Sequence, residues 1–404
     1  MADMQWLDGG ITAVPGILAS GMAAGIKPSG KKDLALVYSS APARAAAVFT
    51  SNQVKGAPVV VSQEHIRDGR AQAVLASSGC SNVCTGEQGI KDAREMTKTV
   101  GELLRIKPSQ VLIAATGVIG QPLPMDKIRV GLPRLVKGLS PQGGRLAAEA
   151  IMTTDTRPKE AALRFDLAGR PVTIGGIAKG VSMLEPHMAT MFCFLATDAM
   201  VARDSLPRVL RRATDRSFNR ITVDGDQSTS DTVAILANGL AENASLERGG
   251  KGLRQFARAL EAITERLARM LVEDGEGATK LVEVAVRGAR TRREAVIAAR
   301  SVANSPLVKT AVNGADPNWG RIMMALGKSA ARVAPDRVAI AIGGELLVEK
   351  GMLRPGARLD RIHEVMGGPG YTIAIDLGLG RGEDRVWTSD LSEEYVRINA
   401  KYTT

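Results

Sequence analysis

The 404-residue sequence predicts a layered α/β protein, and three observations carry that prediction. Short apolar runs recur along the chain at the length of buried strands. Two longer segments place apolar residues at spacings of three and four, as amphipathic helices do. Glycine is frequent, at 43 residues, while aromatics are only 3%, a balance that suits tight turns around an aliphatic core. Helices alternating with strands argue for packed layers. The alternation does not give strand order, so a doubly wound sheet is not assumed.

The predicted strands, in order, cover 73–78, 111–115, 191–196, 232–237, 281–286, 338–342 and 371–375. Ile90, Ala93, Met96, Val100 and Leu103 form one helical stripe, which closes before Pro108. Leu253, Phe256, Leu260, Ile263, Leu267 and Met270 form a second, ended by Gly275. The stretch 378–382 is Gly-rich but lacks the G-x-G-x-x-G spacing that opens a nucleotide-binding helix, and reads as a β-turn. No repeat and no Ser/Pro-rich linker divides the chain.

The net charge of +11 raises the question of nucleic acid. Acids interrupt the basic residues, no basic tail is present, and few aromatics are available for base stacking. A solvated surface is the better reading, and a small anionic substrate is compatible with the same field. Cys80, Cys84 and Cys193 make an odd set without framework spacing, which favours a reducing compartment. With His65, His187 and His363 scattered, no metal site is expected. No apolar run approaches the ~18 residues of a membrane span, and the N-terminus lacks targeting features. A cytoplasmic protein, bound to neither membrane nor nucleic acid, is expected.

Familiar catalytic signatures such as G-x-S-x-G, a P-loop or H-E-x-x-H are absent. The unusual segment is 179–199, where a loop containing Gly180 and Pro186 runs straight into an apolar strand, with Thr190 at the junction. Alone, a threonine there is a β-former. The wider sequence adds more: Gly9-Gly-Ile-Thr-Ala-Val-Pro-Gly, Ala24-Gly-Ile-Lys-Pro-Ser-Gly-Lys-Lys-Asp, Ala115-Thr-Gly-Val-Ile-Gly, Glu273-Asp-Gly-Glu-Gly-Ala-Thr-Lys, Asp316-Pro-Asn-Trp-Gly-Arg and the tail from Tyr395 to Thr404. With these blocks the chain resembles, from end to end, the ornithine acetyltransferase family, the bifunctional glutamate N-acetyltransferases of arginine biosynthesis.

The resemblance implies the layered fold of self-cleaving N-terminal-nucleophile enzymes. It also implies a cut between Ala189 and Thr190, leaving an α chain (1–189) and a β chain (190–404) that fold as one unit. Thr190 would then be the nucleophile, with its own α-amine as neighbouring base. That amine titrates near ~7.7–8.0, against ~10.4 for lysine, which explains why no histidine is needed. Thr116 and Gly117, expected just past the end of a strand, match the oxyanion pair. Thr153 (Thr154 if the register slips by one), Lys179, Glu276, Asn399 and Thr404 match substrate-binding positions. Lys179 suits an amino acid carboxylate. Glu276 suits the ornithine amino group or the Thr190 amine. Without the resemblance, Lys179 and Glu276 read as solvated charges and Asn399 as a frayed tail.

The implied reaction is a ping-pong transfer of acetyl from N2-acetylornithine through acetyl-Thr190 to glutamate. No cofactor is expected, acetyl-CoA being a possible second donor, and the implied assembly is an α2β2 heterotetramer. The chain departs from the family pattern at Cys80, after Ser78 and Gly79, and at Glu185 and His187 beside the cut. A self-cleaving aminopeptidase or amidohydrolase, with water as acceptor, is the rival.

Overall fold

The computed structural model describes residues 4–185 and 191–401. Ala189, Thr190 and Thr404, together with Pro186 and His187, lie outside the described residues. Three sheets organise the chain. The first has four strands in the order Ile17–Met22, Leu34–Ser39, Ala73–Cys80, Val111–Val118. The second has six, in the order Gln5–Leu7, Lys159–Leu167, Arg170–Lys179, Phe192–Thr197, Thr232–Ala237, Arg44–Phe49.

These two sheets pack face to face. Ala35, Val37, Val74 and Leu112 from one meet Ile177, Phe192, Phe194 and Ala234 from the other in a single core. The opposite face of the four-stranded sheet, with Leu36, Leu75 and Ile113, is covered by the helices Gly86–Leu104 and Met125–Lys137. The opposite face of the six-stranded sheet, with Leu163, Cys193, Leu195 and Ile235, is covered by Leu206–Arg216 and Lys251–Glu273. The result is helix, sheet, sheet, helix, the layered α/β class expected. Sheets covered on both faces explain why Phe192–Thr197 and Thr232–Ala237 are buried at every position and read as continuous apolar runs.

A seven-stranded mixed sheet follows, with its own core against the helices Arg292–Ala303, Pro306–Asn313 and Trp319–Gly327. Its strand Leu281–Ala289 alternates between half-buried and buried positions, as a sheet packed on one face does. All seven predicted strands and both striped helices are present, most with longer ends. Residues 378–381 form the bend between Gly370–Asp376 and Gly382–Ser389.

Candidate functional site

Lys179 closes its strand with a side chain only 1% exposed. Its Nζ donates to Thr116 Oγ1 at 3.3 Å and lies 5.9 Å from the centre of the Phe192 ring. The lysine therefore ties the six-stranded sheet to the four-stranded one. Burial pushes its ammonium below the usual lysine range, against the opposing charges of Asp155, Asp231 and Glu276. It is no solvated charge.

Thr116 and Gly117 do not follow a strand end. The strand runs on to Val118, pairing Thr116 with Ser78 and Gly117 with Gly79. Gly117 holds φ +129°, and a Cβ there would stand 2.4 Å from the Gly79 carbonyl carbon and 2.7 Å from the Cys80 nitrogen. Only glycine fits such an approach of two backbones. The Thr-Gly pair is thus a rigid backbone feature, with Thr116 buried beside Lys179 and Gly117 half-buried.

A second group gathers around the loop at 152–156. Asp155, fully enclosed, accepts from the Gly180 N–H at 2.9 Å, the Thr153 N–H at 3.0 Å and Lys159 Nζ at 2.5 Å. Lys159 Nζ also donates to Asp274 Oδ2 at 2.5 Å. Burial alone would raise the Asp155 carboxyl, but the Lys159 and Lys179 charges and the Lys159 and Gly180 hydrogen bonds hold it below its ordinary value. Asp274 follows the long helix Lys251–Glu273 and also takes the Thr156 N–H and hydroxyl. One ion triad joins the loop, the strand Lys159–Leu167 and the helix end.

Beyond that helix, the Glu276 N–H bonds to the Val181 carbonyl at 2.8 Å. Its carboxylate, 8% exposed, accepts from Thr154 Oγ1 at 2.6 Å and from Asn399 Nδ2 at 2.8 Å. Of the two neighbouring threonines, Thr154 brings its side chain to Glu276, whereas Thr153 contributes its backbone to Asp155. Asn399 stands on the helix Glu393–Lys401, not in a frayed tail. Thr116, Gly117, Lys179, Thr154, Glu276 and Asn399 thus connect through shared partners.

Met191 marks where the chain re-enters after residue 190. Its N–H donates to Asp231 Oδ1 at 2.9 Å and its carbonyl accepts from the Thr232 N–H at 3.2 Å. Asp231 is fully buried, its Oδ2 has no hydrogen-bond partner among the described residues, and burial raises its carboxyl well above the usual range. On the other side, the Asp224 carboxylate accepts the N–H groups of Met183 and Leu184 at 2.5 and 2.9 Å. Glu185 Oε2 takes Thr222 Oγ1 and Asn304 Nδ2, each at 2.8 Å. Both margins of 186–190 are therefore pinned by carboxyl groups, buried at Asp231 and half-buried at Asp224 and Glu185.

Asp155, Asp231 and Asp274 escape sequence reading, as does Lys27. Buried Asp33 gathers the N–H groups of Ala24, Gly25, Ile26 and Lys27 at 2.6 to 3.1 Å. That nest aims Lys27 so that its Nζ donates to the Lys32 and Met152 carbonyls, both at 2.7 Å. The signal available was the matched block from Ala24 to Asp33, which carries no recognisable catalytic spacing. Among the described residues no cluster of His, Cys, Asp or Glu could hold a metal ion, and no helix is long and apolar enough to cross a membrane.

Residues 18–404 match the model of the ArgJ family. The chain is 49% identical to the arginine biosynthesis bifunctional protein ArgJ of Symbiobacterium thermophilum, over 99% of this chain and 100% of that protein. It is also 49% identical to the protein of the same name from Geobacter sulfurreducens, over 97% of this chain and 100% of that one. Among solved structures, a chain of the arginine biosynthesis bifunctional protein ArgJ from Bacillus halodurans matches at 40% identity and a TM-score of 0.50, covering 52% of this chain and 98% of its own.

Proposed function

This chain belongs to the ArgJ family, and from that premise we propose how its site performs the family's acetyl transfer in arginine biosynthesis. The enzyme moves acetyl from N2-acetylornithine to glutamate. The step begins with Thr190, made N-terminal by scission of the Ala189–Thr190 bond into an α chain (1–189) and a β chain (190–404). Thr190 Oγ attacks the acetyl carbonyl, its α-amine takes the hydroxyl proton and passes it to the departing nitrogen, and ornithine leaves as the free amine while the acetyl ester stays on the threonine. The glutamate amine then attacks the ester and restores the hydroxyl. Exchanging one amide for another needs no external energy source.

The observation that carries this reading is the set of partners around residue 191. Lys179 is bonded to Thr116 and stands over the Phe192 ring, while Glu276 is tied to the 180–185 stem through Val181. The Thr116–Gly117 unit supplies oxyanion donors held by backbone packing; losing one such donor costs about 10²–10³ in rate. Lys179 receives the amino acid carboxylate that donor and acceptor share. Glu276, Asn399, Thr153 or Thr154, and Thr404 complete the substrate side. The solved relative whose whole chain spans about half of this one supports the two-chain form.

An α2β2 assembly in the cytoplasm, without bound cofactor, completes the proposal. The word bifunctional in the relatives' names supports acetyl-CoA as a second donor. Intact mass under denaturing conditions tests the central step: two fragments meeting at Ala189/Thr190 are expected, and Thr190→Ala should remain whole and inactive. A wild-type chain that stays uncut while transferring acetyl at full rate would sink it. Acetate released from acetylornithine at the same rate without glutamate would instead favour a hydrolase.

A further inference from the structure

A ping-pong site of this kind faces a conflict of charge. Its donor product, ornithine, ends in an ammonium, whereas its acceptor, glutamate, ends in a carboxylate. Both share the α-carboxylate that Lys179 suits, and Glu276 suits only the first side chain. A second cation must offset Glu276 when glutamate enters.

We propose that Lys27 is the residue that selects the dicarboxylate acceptor, by pairing with the side-chain carboxylate of glutamate. The inference rests on the acetyl-transfer reading above. Its first support is placement. A Cβ on Gly79 would lie 2.9 Å from Lys27 Cγ, and Gly79 is the register partner of Gly117; Lys27 therefore packs against the strand that adjoins the Thr-Gly pair. Its Nζ is bonded to the Met152 carbonyl, two residues before the Thr154 hydroxyl that holds Glu276. The loop at 152–154 thus has a cation at one end and an anion at the other.

The second support is unused capacity. An ammonium has three donors; two are spent on the Lys32 and Met152 carbonyls, which leaves one among the described residues. The third is preorganisation, since the four N–H groups on Asp33 fix the backbone that carries the lysine. The charged groups bearing on Lys27 are Asp33, Asp155, Lys179 and Lys31. Burial, the largest influence, brings its ammonium down to about 8, so a bound carboxylate has a charge to restore.

The test compares glutamate with glutamine, its uncharged isostere, as acceptors for the full self-processed enzyme with acetylornithine as donor. In Lys27→Met, kcat/KM for glutamate should fall about 10- to 100-fold, as for a lost charge-assisted hydrogen bond, while glutamine and the KM for acetylornithine stay within about twofold. Lys27→Arg should restore part of the preference. A glutamate-to-glutamine ratio equal to the wild-type ratio would overturn the assignment, and so would a donor KM that rises in step. The ratio does not depend on how much of the variant folds.

Wild-type enzyme supplies the same answer without substitution. Because kcat/KM reports the free enzyme, the preference for glutamate should decline between pH 7 and pH 9 as the amine at about 8 loses its charge; a flat ratio counts against Lys27. If wild-type enzyme makes no acetylglutamate at all, the transfer reading fails and takes this inference with it. Acetylglutamate formed with an unaltered ratio removes Lys27 alone.

Discussion

Two buried lysines, Lys159 and Lys179, sit on adjacent strands and have opposite surroundings. Lys159, wholly enclosed, is clamped between Asp155 and Asp274 at 2.5 Å each. Lys179, almost as enclosed, has among the described residues one hydroxyl at 3.3 Å and an aromatic face. The first is a finished ion triad that joins a loop, a strand and a helix end. The second is a charge whose desolvation is offset only in part by the nearby carboxylates, the condition expected of a group awaiting an anionic ligand. Burial alone does not separate structure from function here; the count of partners does.

The largest expected effect breaks the finished side. Lys159→Met leaves two carboxylates facing each other without their cation and should cost about 3–5 kcal/mol of stability, measured by denaturant unfolding. Next comes Lys179→Met, which should lower kcat/KM about 100-fold while leaving the denaturation midpoint unchanged or higher. Because its folded-state pKa is depressed, the unfolded chain binds the extra proton between that value and about 10.4. The wild type should therefore gain stability relative to the methionine variant as pH rises from neutral toward about 10.4. A gap that widens in the opposite direction would break the comparison.

A smaller effect sharpens it. Thr116→Val removes the one hydroxyl that Lys179 meets among the described residues, and should cost about tenfold in rate with under about 1.5 kcal/mol in stability. On the acid side, Asp155 is depressed; its contribution is complete above about 3.9 and should disappear as pH falls below that value, visible as a shoulder in acid unfolding. Smallest of all, Arg129→Ala breaks the exposed pair with Glu95 at 2.6 Å and should barely move the denaturation midpoint, because solvent screens such pairs. A larger loss there would show that exposed pairs matter more than the contrast allows.

Much of the architecture was legible. The strand Thr232–Ala237 reads residue for residue, because burial on both faces leaves an uninterrupted apolar run. The strand Arg170–Lys179 escapes, since Pro171, Gly175 and Gly176 break the pattern. A Cβ on Gly175 would strike the Gly10 carbonyl oxygen at 2.4 Å, so tertiary contact demands glycine where local reading expects a turn. The site divides similarly. Lys179, Glu276 and Asn399 were reached through resemblance, because a lone charge in sequence carries no sign of its burial. Asp155, Asp231 and Lys27 acquire their place in the site from the distant partners Gly180, Met191 and Met152. Glu185, noted as a departure beside the cut, is an anchor of the stem through Thr222 and Asn304.

The strands on either side of residues 186–190 are themselves antiparallel partners, aligned from Lys179 opposite Phe192 to Ile174 opposite Thr197. Severing the link between them removes a tether and no contact within the sheet. In the proposed two-chain form it would remove reversibility: a melted precursor could find its register again alone, whereas a melted mature enzyme would become two molecules that must meet. Recovery of the mature form from denaturant would depend on concentration, so its lifetime is set by how slowly it opens rather than by how well it closes.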